Sequence, residues 1–563
     1  MKTKSRNLTR ALSAALVASL TLAICSSTGS AQSSGTTRIQ GNRPDRVEWF
    51  RDLGFGMFVH WNVDGTLGGV ISHSLVGASD DYFKRYLELL PKAFNPRKYH
   101  PEDWAVLARL AGMEYVVFTT KHHSGFCMFD TKTTDFDVVN TPYGKDITTQ
   151  LVKAFREQGI AIGFYFSPDD FHWLYKHGRP VARAPHPGVT PQENPELMEY
   201  DKAQLRELLT NYGPVDLMFL DGPAEGLREL CWELNPNIVV TRGAIETPEQ
   251  FIPGLPLEGP WEANLTMGTE WPYKPTNETY KSGQQLIRVL IETRAKGGNL
   301  LLNIGPKPDG EMPIEQEDRL REVALWNFVN REAIDAVRPW VVTNEDGIWF
   351  TRRNRDREPA ARDGDTVYAI ITDAWKYGEP KTVTLKSVAA SRDTVVSVLG
   401  QTGEILEYRP QVAPGAKWEQ TAEGLKITAW KAQRLYTNNQ WPNPVVIKIT
   451  HAQSGIAPPK VTAASVRWNA VTRTVVVQAS LESLGRAATV EVGFEYRIKP
   501  EATEFTARPW KTTDLTSRNA TGQFVAEIGG LEPGQRYEFR AIVKHPLLMI
   551  NGKAETFTVP AAR

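Results

Sequence analysis

Cysteine is scarce in this chain of 563 residues: there are three, at positions 25, 127 and 231. Cys25 falls in a leader read below as removed, so too few remain for a disulfide scaffold. Cys127 and Cys231 sit among apolar neighbours, where buried free thiols are expected. Net charge is missing as well. Lys+Arg and Asp+Glu number 65 each and the formal charge is zero. No basic face is implied, so nucleic acid is not an expected partner. Past the leader no apolar run is long enough to span a membrane. No glycine-rich nucleotide fingerprint follows the first strand-like segment, which argues against an open doubly wound sheet. Internal repeats and long low-complexity segments are also lacking.

What is present begins with that leader. Lys2, Lys4, Arg6 and Arg10 precede an apolar stretch from Ala11 to Ile24, and Gly29-Ser30-Ala31 suits cleavage. Residues 1–31 therefore read as a secretory signal peptide, and the protein as secreted or periplasmic. Cleavage after Ala31 leaves the mature chain at −4, because only the four basic residues are lost. Ile24 stands where a lipoprotein signal needs a small residue before Cys25.

From Val47 onward strands and helices alternate. Phe55–His60, Tyr115–Thr120, Ile160–Ser167, Leu217–Asp221, Ile238–Thr241 and Leu300–Ile304 read as strands. Between them Pro101–Ala111, Asp146–Gln158, Asn194–Asn211, Ser282–Lys296 and Gln316–Val329 read as helices. This order implies a parallel sheet with helical crossovers, and a closed (β/α)8-like barrel over residues 32–342 fits it best. After Trp340 short strands separated by turns imply an antiparallel β-sandwich over 343–440. Asn438–Asn443 reads as a joint, and 450–563 as a second all-β domain. Its stretch from Leu531 to Ala541 resembles the tyrosine-containing corner of fibronectin type III modules.

The strand ends carry the chemistry. Buried parallel strands present functional groups at their C-terminal ends. The apolar run Val215–Leu220 stops at Asp221-Gly222, and other strands end in His60-Trp61, in Lys121-His122-His123, and in Tyr165-Phe-Ser167. Metal is one use for such residues, but adjacent His122 and His123 diverge on extended backbone and make a poor chelate, so no metal or other cofactor is expected. Sugar recognition is the better use. Imidazoles and a phenol supply neutral donors and acceptors, and Trp61, Tyr165 and Phe219 supply rings for a pyranose face. Sugar cleavage needs two carboxylates. Asp221 is the first candidate, and Glu246, Glu249, Glu258, Glu262 and Glu270 are candidates for the second. Glu262 stands out, because Trp261 beside it could desolvate the carboxyl and raise its pKa.

With these residues assembled, the chain from about Val47 to Trp340 resembles the retaining α-L-fucosidase family of glycoside hydrolases. Gly54-Phe-Gly-Met-Phe-Val-His60-Trp61, Lys121-His122-His123-Ser-Gly-Phe126, Gly163-Phe-Tyr-Phe-Ser167, Asp221-Gly222 and Gly297-Gly-Asn-Leu-Leu-Leu-Asn-Ile-Gly-Pro306 carry the likeness, in matching order. The resemblance implies a barrel followed by a β-sandwich, a fucosylated glycan as substrate and double displacement without a cofactor. It implies Asp221 as nucleophile and Glu262 as general acid/base. It also implies His60, His122 and His123 on fucose hydroxyls with Tyr165 beside them, and Phe219 where many members have Trp. Two departures bear on specificity. Many members follow His-Trp with Gly and a later Glu-Trp-Tyr segment, whereas this chain has Asn62 and a loop, Gly68 to Ser79, that carries His73. The family also holds enzymes for related sugars such as L-galactose, so α-L-galactosidase is the runner-up activity. A non-catalytic glycan-binding protein is the alternative from another class. The C-terminal module is expected to act as a spacer.

Overall fold

The computed structural model describes residues 41–353, 364–435, 443–499 and 509–561. The leader at 1–31 and most of the 438–443 joint lie outside them.

Seven parallel strands form one sheet: β1 (Phe55–Val59), β2 (Tyr115–Lys121), β3 (Ala161–Phe166), β4 (Leu217–Leu220), β5 (Val239–Val240), β6 (Glu262–Thr266) and β7 (Asn299–Ile304). Their order is β5-β4-β3-β2-β1-β7-β6. Segment 246–250 leads back from β5 to β6: the Glu262 N–H donates to the Glu246 carbonyl at 3.0 Å, and the Gln250 N–H to that of Asn264 at 2.9 Å. Every residue of β1, β2 and β7 is buried, which is what strands covered on both faces require.

Period-two alternation sorts the strand side chains into two cores. Phe58, Tyr115, Val117, Tyr165, Leu217, Phe219, Val239 and Leu301 pack together inside the curled sheet. Their neighbours Met57, Val59, Val116, Phe118, Phe164, Phe166, Met218 and Leu220 face outward into the layer shared with the helices. The helices start and stop where local chemistry demands. Pro101 opens Pro101–Ala111 and Gly112 closes it at φ +82°, where a Cβ would lie 2.0 Å from the Asn327 amide nitrogen. Strand β6 and the helices Pro44–Leu53, Asp80–Ala93, Phe171–Lys176 and Leu227–Leu234 are among the elements that sequence pattern did not pick out.

Beyond the sheet, antiparallel strands form a second layer pair around Trp340, Phe350, Ile371, Leu425 and Ile447. Val445–Ser454 is a central strand here, paired with Asp365–Ile371. The β-sandwich therefore runs from Arg338 to Ser454 rather than stopping at 440, because the chain returns after the joint to complete the sheet. The barrel side touches it through the Trp326 indole, which donates to the Pro444 carbonyl at 2.8 Å. The last segment forms two antiparallel sheets around Val477, Phe494, Phe524 and Phe539. Both Cys127 and Cys231 are buried free thiols.

Candidate active site

Alternation decides which strand-end residues meet. On β4 the inward series Leu217, Phe219 continues to Asp221, and on β1 Phe58 continues to His60. Phe58, His60, Phe219 and Asp221 border a cavity of about 300 Å³ at the C-terminal ends of the strands, together with His73, His122, Tyr165, Arg183, Arg242, Glu249, Gln250, Asn264 and Trp271.

Asp221 is 8% exposed and heavily partnered. The Tyr165 hydroxyl donates to its Oδ2 at 2.6 Å and Arg242 Nη1 to its Oδ1 at 2.8 Å. His123 Nε2 lies 3.3 Å from Oδ2, and Arg183 Nη2 3.7 Å from Oδ1. Burial alone would raise this carboxyl, but Arg242, His123 and Arg183 outweigh it and hold the pKa well below the carboxylate range. Arg242 also reaches a second acid: its Nη2 donates to Glu249 Oε2 at 2.7 Å. One guanidinium thus joins two carboxylates.

The imidazoles divide by environment. His60 holds Asn303 Oδ1 at 2.6 Å, and burial drives its pKa to about 3. His122 pairs through Nδ1 with Ser72 Oγ at 2.8 Å and stacks on Tyr165 at 5.3 Å between ring centroids. Burial, with three imidazoles nearby, holds its pKa well below the usual imidazole range. Burial also lowers His73, to about 4. These three are neutral donor–acceptor groups at any physiological pH. His123 differs. Burial would lower it, but Asp169, whose Oδ1 is 2.9 Å from Nδ1, tips the balance upward and favours the imidazolium. His122 and His123 converge, their ring centroids 4.7 Å apart, instead of diverging as extended backbone implies. The register shift between Thr119 and Lys121 and the turn that follows break that alternation. Gly125, at φ +83°, lets the turn press on Asp170: a Cβ there would lie 2.2 Å from the carboxylate. Below the turn Lys121, fully buried, pairs with Asp201 at 2.9 Å and Asp170 at 3.3 Å.

His122, His123 and Asp221 offer ligand atoms within 4.8 Å of one another. The donor set suits a cation poorly, since Asp221 already faces two guanidinium groups and His123 holds its protons.

Two expected residues are elsewhere. Trp61 follows His60 by one position and so points outward, where its ring meets Phe94, Tyr99 and Trp104 at 5.1–5.7 Å. Glu262 opens β6, at the N-terminal end of the strands, opposite to Asp221. It is fully buried there, and the Tyr115 hydroxyl donates to its Oε2 at 2.6 Å. Burial raises its pKa to about 7 despite Tyr115 and Thr241. The carboxyl is raised by burial as expected, but it lies beside Tyr115 in the inner layer while Trp261 packs in the outer one, and at the end of the strands far from Asp221.

A stability effect follows from that position. The unfolded carboxyl ionises near 4.5 and the folded one near 7. Between these values the unfolded state holds fewer protons, so stability falls as pH rises. The total is on the order of 3 kcal/mol. Glu262→Gln is expected to lose its share of this slope while keeping turnover, so the fall in urea midpoint from pH 5 to pH 7.5 should be smaller in the variant than in the parent, the remainder belonging to other raised carboxyls such as Asp64 and Asp201. A variant with the parental slope would refute the buried-acid account.

Sequence reasoning missed Arg183, Arg242 and Trp271. Arg242 was within reach, because it sits just past β5 at a strand end. Arg183 lies in the long loop before Pro195, and Trp271 in the loop after β6, where no periodicity marks a functional residue.

Relatives are consistent with this geometry. Residues 22–332 match the family model for Alpha-L-fucosidase. The alpha-L-fucosidase of Branchiostoma floridae is 29% identical over 403 residues, covering 62% of this chain and 84% of that protein. Among solved structures, alpha-L-fucosidase isoenzyme 1 from Paenibacillus thiaminolyticus aligns with a TM-score of 0.56 at 26% identity, covering 72% of this chain and 98% of that one. Thermotoga maritima alpha-fucosidase in complex with fucose aligns with a TM-score of 0.55 at 25% identity, covering 72% and 96%. The match extends over the whole strand-and-helix region that builds the cavity, and the chain belongs to the alpha-L-fucosidase family of glycoside hydrolases.

Proposed function

We propose that this protein is a secreted, exo-acting, retaining α-L-fucosidase in which Asp221 is the nucleophile and Glu249, not Glu262, is the general acid/base. The observation that carries the reading is Arg242, which hydrogen-bonds Asp221 and Glu249 at once beside a pocket walled by imidazoles. A retaining pair stands about 5–5.5 Å apart, a span that two carboxylates on one guanidinium can meet.

In the first step an Asp221 oxygen attacks C1 of the sugar while Glu249 gives its proton to the departing oxygen. The C1–O bond breaks and a glycosyl ester forms. In the second step Glu249 takes a proton from water, which attacks C1 and releases Asp221. Arg242, Arg183 and His123 keep Asp221 ionised for attack. His60 and His122, neutral and fixed by Asn303 and Ser72, exchange hydrogen bonds with sugar hydroxyls. Trp271, 4.7 Å from His60 between ring centroids, and Phe219 give apolar surface to the sugar. A pocket of about 300 Å³ suits a single terminal pyranose, hence exo action. The Thermotoga relative was solved with fucose bound, which supports L-fucose over L-galactose.

The test is a panel of aryl glycosides followed by proton NMR. The α-L-fucoside should be cleaved fastest, with α-L-fucose as the first anomer seen. Faster cleavage of the L-galactoside would make the runner-up correct, and β-L-fucose appearing first would overturn retention. Fucose binding without turnover of any glycoside would favour the non-catalytic alternative.

The leader at 1–31 supports export, and a mature N-terminus at Gln32 would bear it out. A fibronectin type III-like reading of the last domain draws support from the Glu532 N–H, which donates to the Tyr537 hydroxyl at 3.2 Å, the local bond of a tyrosine corner.

A further inference from the structure

A second cavity, of about 360 Å³, adjoins the first and shares Arg242 as a wall. Three pieces of chain build it: the loop between Phe171–Lys176 and Pro195–Asn211, the turn Gly222–Gly226 after β4, and Gly243 after β5. All follow strand C-termini, so it opens on the same face of the barrel as Asp221. From these observations, and resting on the assignment of Asp221 above, we infer that this cavity binds the sugar from which the terminal residue is cleaved, and that it selects oligosaccharides over simple aryl glycosides.

Direction supports the placement. His60 and His122 come from β1 and β2, while the second cavity lies beyond β4 and β5. In-line displacement puts the leaving oxygen on the face of C1 opposite Asp221. Arg242 is a wall of both cavities and holds Glu249 through Nη2, so the acid that would protonate that oxygen stands at the border between them.

Chemistry supports the ligand class. No Trp, Tyr or Phe borders this cavity, so it offers no platform for an aryl group. It offers planar polar groups instead, the partners that sugar hydroxyls take. Gln192 Nε2 donates to the carbonyls of Pro223 and Glu225 at 3.2 and 2.8 Å, which clamps two of the walls together and turns its carbonyl oxygen to other partners. Arg228 is anchored by Nε on Glu229 and by Nη1 on the Gly243 carbonyl, both at 2.8 Å, which leaves Nη2 for a ligand. His186 is exposed at the edge and holds the Pro187 carbonyl through Nδ1, leaving Nε2 outward. The volume falls within the range of small-molecule sites. The leaving group it suits is thus a sugar rather than an aryl group.

The experiment compares kcat/KM on 4-nitrophenyl α-L-fucoside with kcat/KM on a fucosyl disaccharide. It uses the parent enzyme, Arg228→Ala, and His186→Trp, which fills the cavity from an exposed position where folding is not at stake. Each variant should lose roughly 5- to 10-fold on the disaccharide, the worth of a hydrogen bond or two, and keep aryl turnover. Equal losses on both substrates, or none on either, would overturn the inference. A parent enzyme inert toward both the aryl fucoside and the disaccharide would instead count against the catalytic assignment, so the two failures are distinguishable.

Discussion

Asp221→Gly is expected to lose turnover of an aryl α-L-fucoside by on the order of 10⁴-fold, and sodium azide is expected to restore part of it. The physical basis is the charge left behind. In the parent, Arg242, Arg183 and His123 all face the Asp221 carboxylate. Deleting that side chain removes the carboxylate the three share and opens a small void beside them, with Asp169 and Glu249 still paired to them, and that void is an anion site. Azide entering there stands where the carboxylate oxygen stood and attacks C1 from the same side. The product is β-L-fucosyl azide, inverted relative to the substrate. Rescue itself excludes simple misfolding as the cause of the loss. Parental activity in Asp221→Gly, or an azide adduct of retained configuration, would remove Asp221 from the nucleophile's role.

How far the sequence reached can be judged residue by residue. The strands that carry Asp221, His60, Tyr165 and Phe219 were legible because they are apolar on both faces and end abruptly in polar groups. Their inward grouping was legible from spacing, since Leu217, Phe219 and Asp221 are two apart, as are Phe58 and His60. The same rule, applied to Trp61, would have sent it outward, and its aromatic character outweighed the parity in that reading. Glu262 failed for a different reason. β6 is five residues long and carries Asn and Thr inside it, so hydrophobic periodicity did not reveal a strand. Taken as part of a loop, Glu262 could reach the rim; as the first residue of a strand it cannot. Arg183 and Glu249 stand outside the named strands and helices: Arg183 pairs with Asp169, and Glu249 pairs with Arg242 on a segment bridged to Asn264 of β6. The end of the β-sandwich was misplaced because a Pro- and Asn-rich joint reads as a boundary, although the strand beyond it pairs backward with Asp365–Ile371.

The contrast between Glu249 and Glu262 gives the second large effect. Glu249→Ala is expected to lower kcat/KM for a fucosyl disaccharide by about 10²–10⁴-fold, the range for removing a general acid. A sugar leaving group needs its oxygen protonated as the bond breaks. A 2,4-dinitrophenyl group does not, so the first step on that substrate should survive. Water attack on the glycosyl ester then lacks its base, and the ester accumulates, seen as a burst of dinitrophenol followed by slow turnover. Azide needs no base, so it should speed the slow phase and give α-L-fucosyl azide, the retained product and the opposite of the Asp221→Gly result. The alkaline limb of kcat/KM for the disaccharide should vanish as well, since it reports the acid's proton. Glu262→Gln should show none of these changes, because its carboxyl faces Tyr115 at the far end of the strands. Should Glu262→Gln show the burst and the retained azide adduct while Glu249→Ala hydrolyses normally, the strand-end geometry argued for Glu249 is wrong and proton transfer belongs to the buried acid.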